Sequence, residues 1–114
     1  MPSLPNYLQT HRKRTSFSQE EVAFLLGIQG IDRANKVLRD ERFARIPALE
    51  TAIAYELIYG KPASDLFAGM YEKIAREITA RSKILRHRKT VISDPKKSQA
   101  MADLALRCST LANN

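Results

Sequence analysis

Four side chains with strong hydrogen-bonding capacity crowd between Arg33 and Arg39: Arg33, Asn35, Lys36 and Arg39. Arginine offers a planar fork of donors, asparagine a donor and an acceptor together, and lysine a charge with three donors. At helical spacing this is recognition chemistry rather than bond making. Groupings that would support catalysis do not stand out. There is no glycine-rich phosphate loop, no metal-spaced Cys/His set and no Ser/His/Asp grouping. The acid pairs Glu20-Glu21 and Asp40-Glu41 are adjacent in sequence and so point to different helix faces. His11 and His87 lie far apart with no companion acid. We expect no enzyme, no metal and no cofactor.

The elements that must position these side chains begin at Ser18. Its hydroxyl suits the free amides of a first helical turn, and Glu21 is placed to reach back to the Ser18 amide. Val22, Leu25 and Leu26 then fall on one face, and Gly27 stops the helix. After the turn Gly27-Ile28-Gln29-Gly30, a second helix runs from about Asp32 to Arg42, with Ala34, Val37 and Leu38 as its narrow apolar stripe. Two short helices joined by a glycine turn, the second rich in hydrogen-bonding side chains, form a helix-turn-helix pattern.

Further short helices flank this pair. Asn6 is suited to cap a helix from Tyr7 to about Arg14, with Tyr7 and Leu8 inward and a basic end that also suits the helix dipole. Met1 to Pro5 is expected to be extended or disordered. Pro47 suits the first position of a fourth helix, with Leu49, Ala52, Ile53, Leu57 and Ile58 inward, ended by Gly60-Lys61-Pro62. Ser64 or Asp65 starts a fifth, with Leu66 and Phe67 inward and Gly69 as a break or bend. From Met70, the spacing of Tyr71, Ile74, Ala75, Ile78 and Leu85 predicts one long helix to about Val91. Asp94-Pro95 then starts a last helix, Lys96 to about Leu111, with Met101, Leu104, Ala105, Cys108 and Leu111 on one face.

The chain has 114 residues and a formal net charge of +7. Residues 1–69 hold nine Lys and Arg against eight Asp and Glu, whereas 70–114 hold ten against four. The excess is therefore C-terminal, and its sign suits an anionic partner. The run Arg81 to Lys89 (RSKILRHRK) fits three roles: a basic helix on phosphates, the solvated face of a dimerisation helix, or a surface for an acidic protein or membrane. No run approaches the roughly 18 apolar residues a membrane helix needs, and among partners no membrane is expected. No secretory signal is evident and Cys108 is alone, which fits a reducing cytoplasm.

Two stretches, QEEVAFLLG and ERFARIPALETAIAYELIYG, resemble the lambda-repressor-like (xenobiotic-response-element) helix-turn-helix family of bacterial and phage regulators. Ser18, Gln19, Val22, Ala23, Leu26 and Gly27 match its first block, and Glu41, Arg42, Arg45 and Pro47 its second. Phe43 stands where the family has glycine, Asp40 where it has an apolar residue, and the link after Gly27 is about three residues longer. The resemblance implies an all-α chain: a five-helix lambda-repressor-like DNA-binding domain over 1–69, then a basic C-terminal extension of about two helices over 70–114, for dimerisation or partner binding.

It also implies roles. Gln19 resembles a phosphate-contacting glutamine, Arg33, Asn35, Lys36 and Arg39 lie at or beside groove-facing positions, and Arg42 and Arg45 resemble residues near the backbone. Gln29 in the turn joins this set, and Lys13 is a further positioning contact. Arg39 and Asn35 are the expected base readers, since arginine pairs bidentately with guanine and asparagine with adenine. Lys83, Arg86 and Arg88 are accessory phosphate candidates. The expectation is a sequence-specific transcriptional regulator of the bacterial cytoplasm, associated with the nucleoid when bound to double-stranded DNA. It would act as a homodimer on half-sites ~34 Å apart, with a helix over about 31–42 in the major groove, and as a repressor. The alternative is a protein-interaction module, such as the antitoxin of a toxin–antitoxin pair, gripping a protein partner through 70–114.

Overall fold

Ser18 fixes the first helix-turn element as its chemistry requires. In the computed structural model, which describes residues 4–112, its Oγ accepts from the Glu21 amide at 3.0 Å, and the Glu21 carboxylate accepts from the Ser18 amide at 2.8 Å. This capping box starts α2 (Gln19–Leu25). Before it lies α1 (Leu8–Thr15), and after it α3 (Arg33–Glu41), α4 (Leu49–Tyr59) and the four-residue α5 (Ala63–Leu66). Then come α6 (Ala68–Leu85), the short α7 (Lys89–Ile92) and α8 (Pro95–Ala112). The described residues hold these eight helices and no strand, so the fold is all-α. No helix among them is long and apolar enough to cross a membrane. Met1 to Ser3, part of the segment expected to be extended, lie outside the described residues, as do residues 113–114.

The chain divides into two compact units. One is Leu4–Ala68, and the other takes the described residues from 69 onward. The core of the first is built from Leu8, Val22, Val37, Tyr55, Leu66 and Phe67. Asn6 anchors its start: Oδ1 accepts from the Leu8 amide, and Nδ2 donates to the Asp40 carbonyl at 2.9 Å. The Tyr7 amide donates to the Leu66 carbonyl at 2.7 Å, which ties the beginning of α1 to the end of α5. Gly27, at φ 77, lets the chain leave α2 while the Ile28 amide returns to the Ala23 carbonyl.

Two expected faces and one helix start differ in the first unit. On α2 the buried residues are Val22 and Ala23, and Leu25 is exposed. On α4 the inward side chains are Tyr55 and Tyr59, stacked at 5.8 Å between ring centroids, while Leu49, Ile53 and Leu57 face solvent. The stacked rings bury a large apolar surface, and the Tyr55 hydroxyl finds an acceptor in Asp40. Pro47 precedes α4 rather than opening it, because Ala48 is extended at the N-cap.

In the second unit, Gly69 lies inside α6, and the single helix expected to reach Val91 is split. α6 ends at Leu85 and α7 begins at Lys89. Residues 86–89 are all basic or His, so they offer no apolar side chain to hold another turn, and cations suit a helix C-terminus. Val91 is buried from α7 instead. Asp94 caps α8, accepting from the Lys96 and Lys97 amides. Cys108 is buried, and Met101, Leu104 and Leu111 are half-buried beside it on the same face.

Candidate nucleic-acid interface

The geometry of α3 follows from what holds its inner side. Val37 and Asp40 are buried. Asp40 accepts from Arg45 Nε at 2.7 Å and from the Tyr55 hydroxyl at 2.8 Å. Glu41, next in sequence, serves a separate network. Its carboxylate accepts from Arg12 Nε at 2.6 Å, Arg12 Nη2 at 3.2 Å and Gln19 Nε2 at 3.1 Å. Arg12 also donates to the Phe17 carbonyl at 3.1 Å. The adjacent acids therefore fasten the end of α3 in two directions, Asp40 to α4 and Glu41 to α1 and α2.

These contacts shift protonation. The hydrogen bond that Arg12 donates to Glu41 holds its guanidinium more firmly protonated, and the one Arg45 donates to Asp40 does the same for Arg45. Burial, then the charge of Asp40, pushes the Tyr55 hydroxyl well above its ordinary value. Burial, then Glu41, raises Tyr59, whose hydroxyl is buried without a hydrogen-bond partner among the described residues. Burial, then Arg14 and Lys61, lowers His11.

Pinning the inner side turns the opposite face outward. Asn35, Arg39 and Arg42 recur at i, i+4 and i+7, and all three are exposed, with half-buried Lys36 alongside. None of Lys36, Arg39 and Arg42 forms an ion pair among the described residues. Gln29 is exposed in the preceding turn, and Lys13 is exposed on α1.

Other expected contact residues are engaged inside the fold. Gln19 donates to Glu41. Arg33 bonds Glu20 Oε1 through Nε at 2.6 Å and lies over the Phe24 ring at 5.6 Å, so it ties the start of α3 to α2. Asn35 donates to Asp32 Oδ1 at 3.0 Å. Arg45 is held by Asp40. Lys83, Arg86 and Arg88 belong to the second unit and are exposed.

Two features were not read from the sequence. Arg12, Glu41, Asp40 and Tyr55 fix which face of α3 is turned outward, and no local pattern marks the Arg12–Glu41 and Tyr55–Asp40 pairs, because the partners lie 29 and 15 residues apart. Ile31 is fully exposed at the tip before α3. A large aliphatic residue directly after Gly30 was the available signal. Among the described residues no cluster of His, Cys, Asp and Glu could hold a metal ion. Comparison of the chain with protein-family models, curated proteins and solved structures finds no match.

Proposed function

We propose that this chain is a sequence-specific DNA-binding transcriptional regulator, a homodimer whose first unit has the lambda-repressor-like helix-turn-helix arrangement and inserts α3 into the major groove. The outward row of Asn35, Arg39 and Arg42 on a helix fastened from behind by Asp40 and Glu41 carries this reading. Rigid support of that kind is what a base-reading helix needs, since misplaced donors lose their geometry. Phe43 adds a second support. It stands at φ 55, a left-handed conformation that favours glycine, the residue type the resemblance has there.

Within this reading the two groups of side chains have different tasks. Arg39 reads a base edge, Arg42, Lys36 and Lys13 contact phosphates, and Ile31 meets a thymine methyl at the tip. Gln19, Arg33 and Arg45 hold the helices to one another, and Asn35 reaches a base only by exchanging its contact with Asp32. Selection from a random duplex pool identifies the operator and its symmetry. Arg39→Ala should then lower affinity for that operator by about 1–3 kcal/mol and affinity for unrelated duplex much less. Equal losses on both would remove Arg39 as a reader.

A further inference from the structure

Each unit carries an apolar surface that the proposed function does not use. On α4, Leu49, Ile53 and Leu57 recur every four residues and are 76%, 48% and 81% exposed, with Ile46 just before them at 71%. They face away from Tyr55 and Tyr59 and continue along the whole helix. Glu50 borders this stripe, and no Lys or Arg lies anywhere in α4. In the second unit, Ile78, Ile84 and Leu85 of α6 and Leu104 of α8 line an open groove of about 400 Å³, rimmed by Arg81 and Arg88. Ile84 is 68% exposed.

The surfaces match in chemistry and in length. The stripe is apolar with an acidic border, and the groove is apolar with a cationic rim. Leu49 to Leu57 spans ~12 Å and Ile78 to Leu85 ~10 Å at the helical rise per residue. Phosphates would satisfy the arginines but leave the apolar floor uncovered. Packing α4 antiparallel on its own copy about Ile53 would bring Glu50 against Glu56 of the second helix, two like charges.

We propose that the α6–α8 groove of one copy receives the α4 stripe of a second copy. Each copy carries one stripe and one groove, so the exchange is reciprocal between two copies. This deepens the homodimer in the function proposed above and rests on it.

The test is the oligomeric state of the full chain without DNA, by sedimentation across a concentration series. Wild type should be a dimer. Leu57→Glu, at an exposed position the fold tolerates, should raise the dissociation constant at least ~100-fold, because each dimer loses the contact twice. Arg81→Glu with Arg88→Glu should do the same. Adding Glu50→Arg to that pair should restore dimerisation, which a merely structural effect would not do. Circular dichroism confirms the fold of each variant. A dimer that survives both sets of changes overturns the groove assignment and leaves the homodimer standing. A wild-type chain that is monomeric with and without operator overturns both. A monomer whose groove instead takes an acidic amphipathic peptide overturns the proposal in favour of a different protein partner.

Discussion

Asp40 is a fully buried carboxylate where an apolar residue would be simplest, and its two partners differ in what they lose without it. Arg45 is 43% exposed on its side chain and recovers water, so its ion pair contributes little. The Tyr55 hydroxyl is fully buried, and among the described residues Asp40 is the partner it bonds. Asp40→Leu alone should therefore destabilise by about 2 kcal/mol, most of it from the stranded hydroxyl. Tyr55→Phe alone should cost about 2–3 kcal/mol, because it strands one oxygen of a buried carboxylate. Together they remove both polar groups, and the double variant should sit within about 1–2 kcal/mol of wild type. The Asn6 bond goes to the Asp40 backbone carbonyl and survives every variant. Urea unfolding with an unchanged slope measures the cycle. Additivity within about 0.5 kcal/mol would refute the coupled pair, and with it the claim that Asp40 and Tyr55 jointly orient α3.

Alkaline stability follows from the raised tyrosines. Unfolded tyrosines ionise near ~10, while Tyr55 and Tyr59 hold their protons in the fold, so stability should be flat below that pH and fall above it. Tyr59→Phe should reduce the fall in a pH-dependent melting series and lose little at pH ~7, since its hydroxyl has no partner among the described residues. Gly60 caps α4 at φ 65 with open space around a would-be Cβ. Gly60→Ala should thus cost only the left-handed backbone penalty, about 1–2 kcal/mol in urea unfolding. Replacing Lys83 and Arg86 with Gln should flatten the logarithmic salt dependence of DNA binding by up to about 1.8 if each neutralises one phosphate. An unchanged slope would place that basic run away from DNA.

What the sequence reveals here is what local chemistry decides. Ser18 and Glu21 form their capping box because both ends lie within one turn. Gly27, Gly60 and Asp94 end or start helices where their backbone or side chain has a local advantage. The α4 face was not legible in this way. Its aliphatic stripe and its two tyrosines lie on opposite sides, and periodicity alone favours the stripe. The deciding acceptor, Asp40, lies 15 residues away on another helix. The same distance hides which cations are free. Arg33, Arg39 and Arg45 look alike in the sequence, yet Glu20 holds the first and Asp40 the last.

That division bears on how the outward face of α3 arises. An acid at an apolar position looks like a defect in a helix-turn-helix pattern, but it draws Arg45 and Tyr55 to the inner side of α3. Glu41 beside it draws Arg12 and Gln19 to the same end of the helix. Cations that could have bound phosphate are thereby retained as struts, and the first unit is left nearly neutral with Arg39 and Arg42 exposed on one row. On the proposed function, affinity for DNA would then draw on the basic second unit, and discrimination on very few side chains. The chain should then lose specificity abruptly when Arg39 is removed and lose affinity gradually as charge is removed from Lys83, Arg86 and Lys89, which lie outside the groove rim.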